Sequence, residues 1–250
     1  MIGRPALHVL GCATAGGNPG EPCSGYLVTA GGVRILLDCG PGIVSSWLAR
    51  DAAPLDAIVL SHLHFDHVGD LIPLGYAHTI GLASDWQAPA LYAPPGGIAH
   101  LATLCEASAH GADHLEASGI RVSEYDPDGA LAIGEARLTF RELLHPGTSR
   151  AIRVEASGGT LVFTGDTAIT PGIGEIAHGA DLLLCEATAL PSSEVHLPAG
   201  EAGRIAREAG CGALVLTHVD AREKTAALRQ AREAFGAPVI AAVPGLRVAS

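Results

Sequence analysis

Short apolar runs separated by glycine and proline constrain the fold of this chain more than any other feature. The 32 glycines lie singly or in pairs between runs such as Val33–Asp38 and Ala213–Thr217. Runs of about four to eight apolar or β-branched residues bounded by turn signals are typical of buried β-strands. Because such runs recur in both halves, with helical segments between and after them, the sequence predicts two packed sheets flanked by helices.

The helical segments are less regular than the strands. Periodicity predicts four helices, over Ile43–Arg50, Gly97–His110, Gly200–Ala209 and Arg222–Phe235. Between Leu71 and Leu115 the pattern is mixed, because prolines such as Pro73 interrupt it. The fold of this middle region is therefore the least constrained by the sequence.

The composition is that of a globular domain. With 48% hydrophobic residues, a chain of 250 residues can bury a large core. No linker separates the two halves, so we expect one domain over residues 1–250. The longest apolar stretches, such as Ala237–Val243, are well short of the roughly 20 residues that cross a bilayer. We therefore expect no contact with a membrane.

Cysteine usage and net charge bear on compartment and partners. The six cysteines form no Cys-x-x-Cys pair, so buried reduced thiols in a cytoplasmic protein are expected. The formal net charge of −11 should repel polyanions, since nucleic-acid binding depends on Lys and Arg that neutralise phosphates. We expect a small-molecule substrate rather than long nucleic acid. A homodimer is compatible with the sequence.

One apolar run leads directly into a cluster of ionisable residues. Ala57–Ser61 predicts a buried strand, and four such residues follow within six positions: His62, His64, Asp66 and His67. Alternation in an extended segment puts His62 and His64 on one side, and a following turn brings the other two to another side. Imidazole and carboxylate groups suit Zn²⁺ but also Mn²⁺ or Fe, so zinc is the default metal and the others are alternatives.

Further candidate ligands come at strand ends elsewhere. The run Leu214–Thr217 resembles the run before His62 and delivers His218 at its own carboxyl end. His145 precedes a Pro-Gly pair and Asp166 follows a glycine. Taken alone, each of these two residues also fits an ordinary turn. Their positions in a larger pattern are what make them candidates.

That larger pattern resembles the metallo-β-lactamase superfamily. The run from His62 to His67 matches the family's His-x-His-x-Asp-His signature, and the remaining motifs follow in order over nearly the whole chain: Asp38, His145, Asp166 and His218. The resemblance implies an α/β fold, a four-layer αβ/βα sandwich in which two mixed β-sheets pack face to face between helices. It also implies a metal-dependent hydrolase.

The resemblance implies two divalent metal ions and a role for each matching residue. One ion is held by His62, His64 and His145. The other is held by Asp66, His67 and His218, and Asp166 bridges the two. Such a pair lowers the pKa of a bridging water, so that hydroxide attacks the substrate and no Ser or Cys nucleophile is needed. Asp66 also orients this hydroxide, whereas Asp38 supports the histidine-bearing loop without being a ligand.

A later segment resembles the tRNase Z and phosphodiesterase branch of this family. His196 matches the histidine of its His-x-Thr motif, which protonates the departing alkoxide, and Glu186 resembles the acidic residue that orients that histidine. Alone, His196 also fits a helix-entry residue, and Glu186 also fits a solvated loop residue. Pro198 stands where the branch has Thr or Ser, so a hydroxyl that could contact phosphate is missing.

The substrate prediction uses charge as well. tRNase Z enzymes carry an inserted basic arm that grips tRNA, and we find no such insertion here. Between His67 and His145 the chain has few arginines and no lysine. Together with the net charge, this favours a small phosphodiester such as a cyclic nucleotide.

Three other functions fit the same residues. The site could cleave a lactone, thioester or β-lactam instead. An iron-dependent redox enzyme is a weaker alternative, because its diiron form has Glu where this chain has His64. A non-catalytic biosynthetic accessory protein usually lacks some ligands, and none is lost here. Four other histidines are expected not to bind metal: His78, His100, His110 and His114.

Overall fold

The computed structural model of the chain describes residues 3–188 and 193–249. The strands of the first sheet are β1 (Ala6–Gly11), β2 (Gly25–Ala30), β3 (Val33–Leu37), β4 (Ala57–Val59), β5 (Ala90–Ala93), β6 (Val122–Glu124) and β14 (Arg247–Ala249). Those of the second are β7 (Ala130–Ile133), β8 (Ala136–Glu142), β9 (Arg150–Ala156), β10 (Gly159–Phe163), β11 (Leu182–Glu186), β12 (Ala213–Thr217) and β13 (Val239–Ala241). The helices are α1 (Ile43–Arg50), α2 (Phe65–Val68), α3 (Leu71–Thr79), α4 (Gly97–Ala107), α5 (His114–Ala117), α6 (Pro171–Ala177), α7 (Ala199–Glu208) and α8 (Lys224–Phe235).

Both sheets are mixed, with one antiparallel half and one parallel half. The first has the order β14-β1-β2-β3-β4-β5-β6, and the second has the order β13-β12-β11-β10-β9-β8-β7. In the first sheet β3 to β6 run parallel, and in the second β10 to β13 do. Parallel strands covered on both faces are apolar along their whole length, which explains the continuous runs in β11 and β12.

Three apolar cores separate four layers. The central core lies between the sheets and takes alternate strand residues, such as Ile35 and Leu37 of β3. Leu36, between them in sequence, points the other way into a core beneath α1, α3 and α4. A third core packs the outer face of the second sheet against α6, α7 and α8. The predicted four-layer sandwich of two mixed sheets is confirmed.

Most predicted elements are present, and one helix that was not predicted contains a proline. Helix α1 and strand β12 begin and end where the sequence predicts them. Pro73, expected to break the middle region, instead lies in the first turn of α3. A proline is tolerated there because the first N–H groups of a helix have no partner within it.

Two expectations concern the chain as a whole. No helix in residues 3–188 and 193–249 is long and apolar enough to cross a membrane. The single domain over 1–250 stays a prediction, and it includes residues 1, 2, 189–192 and 250, which lie outside the described residues. All six cysteines are free thiols, and only Cys23 among them is not fully buried.

Candidate metal centre

The predicted site residues converge at one edge of the two sheets. His62 and His64 follow β4, and the short helix α2 carries Asp66 and His67. From the second sheet, the β8–β9 loop contributes His145, and the loops after β10 and β12 contribute Asp166 and His218. Loops at the carboxyl ends of neighbouring parallel strands lie side by side, so residues far apart in sequence meet there.

One group at this edge consists of three histidines. One ring nitrogen from each of His62, His64 and His145 lies within 4.8 Å of the others. Nε2 of His145 is 3.2 Å from Nδ1 of His64, and the rings of His62 and His64 are 4.7 Å apart between centroids. This is the grouping that the sequence predicts for the first ion.

A second group contains Asp66, His67, Asp166 and His218, whose ligand atoms also lie within 4.8 Å of one another. Nε2 of His218 is 3.1 Å from Oδ2 of Asp66, and Nε2 of His67 is 3.5 Å from the same oxygen. All four residues are buried. The arrangement matches the set predicted for the second ion.

Asp166 lies between the two groups. Its Oδ1 is 3.5 Å from Nε2 of His67, whereas its Oδ2 is 3.6 Å from Nε2 of His218 and 3.9 Å from Nε2 of His145. Burial alone would raise the pKa of Asp166, but His218 and His67 beside it hold that pKa well below its usual value. The residue is therefore an anion placed between two sets of imidazoles, as a bridging ligand requires.

Asp38 and Ser61 fix the orientation of the first histidines. Asp38 accepts hydrogen bonds from the Ser61 N–H, the Ser61 hydroxyl and the Nδ1–H of His67, each at 2.7 Å. The Ser61 hydroxyl in turn accepts from Nδ1 of His62 at 3.0 Å. Asp38 thus supports the loop as predicted and, by occupying Nδ1 of His67, directs the other ring nitrogen toward the centre.

Two further histidines are held in the same way by groups that sequence reasoning missed. Nδ1 of His145 donates to the carbonyl oxygen of Val195 at 2.8 Å. Nδ1 of His218 donates to the hydroxyl of Thr188 at 2.7 Å, and that hydroxyl donates to the carbonyl oxygen of His218. Nothing in the sequence spacing indicates these pairs, because they join residues 50 and 30 positions apart.

The inward-facing atoms fit a metal and little else. Nε2 of His62, Nε2 of His67 and Oδ1 of Asp166 are buried, and none has a hydrogen-bond partner among the described residues. Buried polar atoms without hydrogen-bond partners are costly, so three of them in one place indicate a site that binds a ligand. Burial, with the charge of His67, holds the pKa of His62 well below its usual value, which keeps the ring in the neutral form that binds a metal.

Glu186 and His196 form a pair beside these groups. Nδ1 of His196 lies 3.0 and 3.2 Å from the two carboxylate oxygens of Glu186, which is fully buried at the end of β11. Burial alone lowers the pKa of His196, but the hydrogen bond and charge of Glu186 outweigh it and raise that pKa. Glu186 is therefore not the solvated loop residue that was the alternative.

The Glu186–His196 pair lies next to the predicted metal ligands. A ring nitrogen of His196 lies within 4.8 Å of ligand atoms of His145 and Asp166, and its ring centroid is 5.8 Å from that of His218. Pro198 caps the amino end of α7, so His196 lies two residues outside the helix. In this position its side chain faces the predicted ligands.

The remaining histidines lie elsewhere. Nε2 of His110 bonds the hydroxyl of Tyr76 at 2.8 Å, and Nε2 of His114 bonds the carbonyl oxygen of Ile72 at 3.2 Å. Within the described ranges, neither these two nor His78 nor His100 belongs to a group that could hold a metal. That none of the four binds metal stays a prediction.

With this geometry established, comparison with known proteins identifies the family. Residues 33–219 match the family described as the beta-lactamase superfamily domain. The chain belongs to this superfamily. A similar member is the probable metallo-hydrolase YhfI of Bacillus subtilis, 34% identical over 222 residues that cover 85% of this chain and 86% of YhfI.

Two more comparisons bear on fold and activity within the beta-lactamase superfamily. The crystal structure of YhfI has a TM-score of 0.86 at 28% identity and covers 98% of this chain and 99% of its own. Ribonuclease Z of Mycobacterium marinum is 30% identical over 241 residues, covering 85% of each protein. The chain is therefore a hydrolase of this superfamily, with a His/Asp cluster that could bind metal.

Proposed function

We propose that this superfamily member is a dinuclear metal-dependent phosphodiesterase that acts on a small phosphodiester. The observation that carries the proposal is the Glu186–His196 pair beside the two groups of predicted ligands. Hydrolysis of a thioester does not need a separate proton donor as strongly, because a thiolate is less basic than a sugar alkoxide. A donor built next to the centre thus favours the phosphodiester over the thioester, and direct comparison of substrates separates it from a lactone.

We propose the ligand set predicted from the sequence, with zinc as the metal and with Asp166 between the two ions. When bound, the ions supply Lewis acidity, which activates water and stabilises charge on the phosphoryl oxygens. Asp66 would hold one ion and orient the attacking water. Outer partners keep four of the five histidine rings in place, since each of these rings has one nitrogen occupied by a hydrogen bond.

His196 is the proposed general acid. Its Nδ1–H is bound by Glu186, so the proton that it gives to the leaving oxygen comes from Nε2. Glu186 both fixes the ring and stabilises its protonated form. His196 is not assigned as a ligand, because its Nδ1 is already bound and seven other residues supply the two ions.

The size of the substrate follows from charge. The formal net charge of −11 disfavours a long polyanion, and Pro198 leaves no hydroxyl at the place where the branch has Thr or Ser. Because a relative is named ribonuclease Z, RNA belongs among the substrates to be tested.

The test is hydrolysis by the metal-loaded protein of bis-p-nitrophenyl phosphate, a cyclic nucleotide, a precursor tRNA, a lactone and a thioester, compared side by side. We expect the two small phosphodiesters, bis-p-nitrophenyl phosphate and the cyclic nucleotide, to be cleaved best. His196→Ala should lower kcat for a phosphodiester with a basic leaving group by about 10²–10⁴-fold, since a positioned acid typically contributes that much. Metal content should stay unchanged.

The leaving group provides the internal control. p-Nitrophenolate is a weak base and needs less protonation than a ribose alkoxide, so His196→Ala should affect bis-p-nitrophenyl phosphate less than the cyclic nucleotide. Equal losses on both, or loss of metal, would show that His196 is a ligand or a structural residue. Preferential cleavage of the lactone, or of the precursor tRNA, would overturn the proposed substrate class.

A further inference from the structure

A cavity of about 640 Å³ lies at the adjacent ends of β8 and β9, next to the loop that carries His145. Leu144 lines it and directly precedes His145. Arg150 also lines it, and the backbone N–H of Arg150 donates to the carbonyl oxygen of Ser61 at 3.1 Å, one residue before His62. The cavity is therefore lined by part of the loop that carries His145 and by Arg150, whose backbone is bonded to the segment that carries His62.

Arg150 is a buried cation with few partners. It is 7% exposed, its Nη2 donates to Oε2 of Glu142 at 2.8 Å, and its Nε has no hydrogen-bond partner in the described part of the chain. The side chain of Glu142 is 63% exposed, so water screens its charge. A guanidinium taken out of water needs its donors satisfied and its charge compensated. One exposed carboxylate does this only in part.

Arg150 lies on the same face of the second sheet as Glu142, its partner across β8 and β9. Arg141 is on the other face, where it pairs with Glu175 of α6. The planar guanidinium binds phosphate and carboxylate groups through two parallel hydrogen bonds. Asp128 and Glu142 also line the cavity, so an incoming anion has to displace Glu142 from Arg150.

We propose that Arg150 binds a second anionic group of the substrate while the metal centre takes the scissile phosphodiester. This inference rests on the proposed function and narrows it to phosphodiesters that carry a further phosphate or carboxylate. In the absence of substrate Glu142 is hydrogen-bonded to Arg150, and the anionic group replaces Glu142 when the substrate binds. Such a site adds attraction for a small dianionic or trianionic substrate in a chain that is otherwise acidic.

The kinetic test compares two chromogenic substrates, thymidine 5′-(p-nitrophenyl phosphate) and the same ester with a 3′-phosphate. The 3′-phosphate should lower KM about tenfold or more, as expected for hydrogen bonds to a charged group. Arg150→Met should abolish this advantage, so that KM becomes the same for the two esters. Glu142→Gln frees Arg150, so it should lower KM for the phosphorylated ester further.

A binding measurement separates this inference from the proposed function. Titration of inorganic phosphate into the metal-loaded protein by calorimetry needs no turnover, so it tests the site even if neither ester is cleaved. Arg150→Met should weaken phosphate binding about tenfold, and Glu142→Gln should strengthen it. The opposite signs matter, because loss of a merely structural ion pair would move both variants in the same direction.

Two outcomes would overturn the site. One is an equal effect of the 3′-phosphate on KM in all three proteins, together with unchanged phosphate binding. The other is an equal rise of KM for both esters in Arg150→Met, which would mark the residue as structural. If Arg150→Met does not fold, Glu142→Gln decides alone, since it leaves Arg150 in place.

Discussion

At the scale of single residues, the centre is organised by the two nitrogens of each imidazole ring. For His62, His67, His145 and His218, one nitrogen is held by a named partner outside the centre. The other nitrogen faces the interior of the site, where those of His62 and His67 have no partner among the residues described. This division fixes ring orientation before a metal binds, so little conformational entropy remains to be lost on binding.

Asp166 is the residue on which a two-ion site depends most. Asp166→Ala removes the carboxylate that lies between both groups, so bound metal should fall from about two ions per chain to about one or fewer, and hydrolysis should be lost. Elemental analysis of the purified protein measures the first effect. The matched control is His110→Ala, whose imidazole bonds Tyr76 away from the centre. Normal turnover in Asp166→Ala would contradict the dinuclear assignment.

At the scale of elements, the loop after β3 and the helix α2 are joined through their backbones. The N–H of Cys39 donates to the carbonyl oxygen of His67 at 2.7 Å, and the N–H of Ser24 donates to that of Asp66 at 3.2 Å. Gly40 lies at this junction, where an added Cβ would overlap the carbonyl oxygen of Asp66. The absence of a side chain at Gly40 thus lets α2 approach closely enough to bring two predicted ligands into the site.

Gly40→Ala should therefore disturb α2 rather than the sheet. We expect a loss of about 1–3 kcal/mol in the free energy of unfolding, as for other overpacked sites, and weaker metal binding. Urea denaturation and metal titration measure the two effects. Gly174→Ala is the control, because a Cβ there meets no atom within 4 Å and alanine favours helix α6. Equal stability of the two variants would refute the close-approach argument.

At the scale of the whole molecule, the centre joins the two sheets. His62 and α2 follow strands of the first sheet, whereas His145, Asp166 and His218 come from loops of the second. Ions that bind both sets link the halves of the sandwich across their shared core. Because the unfolded chain does not preserve this arrangement, metal binding must stabilise the folded state.

Removal of metal should consequently lower the melting temperature. Metal at a thousandfold excess over Kd adds about 4 kcal/mol to the stability, which corresponds to a shift of roughly 8 °C or more for a chain of this size. Calorimetry before and after chelation measures the shift, and added Zn²⁺ should restore it. Asp166→Ala should show a smaller response to the chelator. An unchanged melting temperature in protein verified to be metal-free would contradict the coupling.

How far the sequence alone reaches differs between elements and contacts. Strands β11 and β12 are buried on both faces and are therefore continuously apolar, so their own sequence predicts them. The sequence of helix α1 likewise predicts that helix by itself. Helix α3 could not be predicted in this way, because the energetic cost of Pro73 depends on whether it lies in the first turn of the helix. Helix α2 could not be predicted because it is too short to give a helical period.

The ligand residues themselves stood out in the sequence, because four ionisable groups in six positions after an apolar strand are unusual and the remaining motifs follow in family order. Their chemistry and grouping could thus be predicted from the sequence by itself. Only the tertiary structure decided which groups orient the histidine rings of the site: Val195 for His145, Thr188 for His218, and Glu186 for the proposed acid His196. It also placed the buried Arg150 in a cavity next to the loop that carries His145. Such contacts depend on which strands become neighbours, and that is set by packing of the whole sandwich rather than by local sequence.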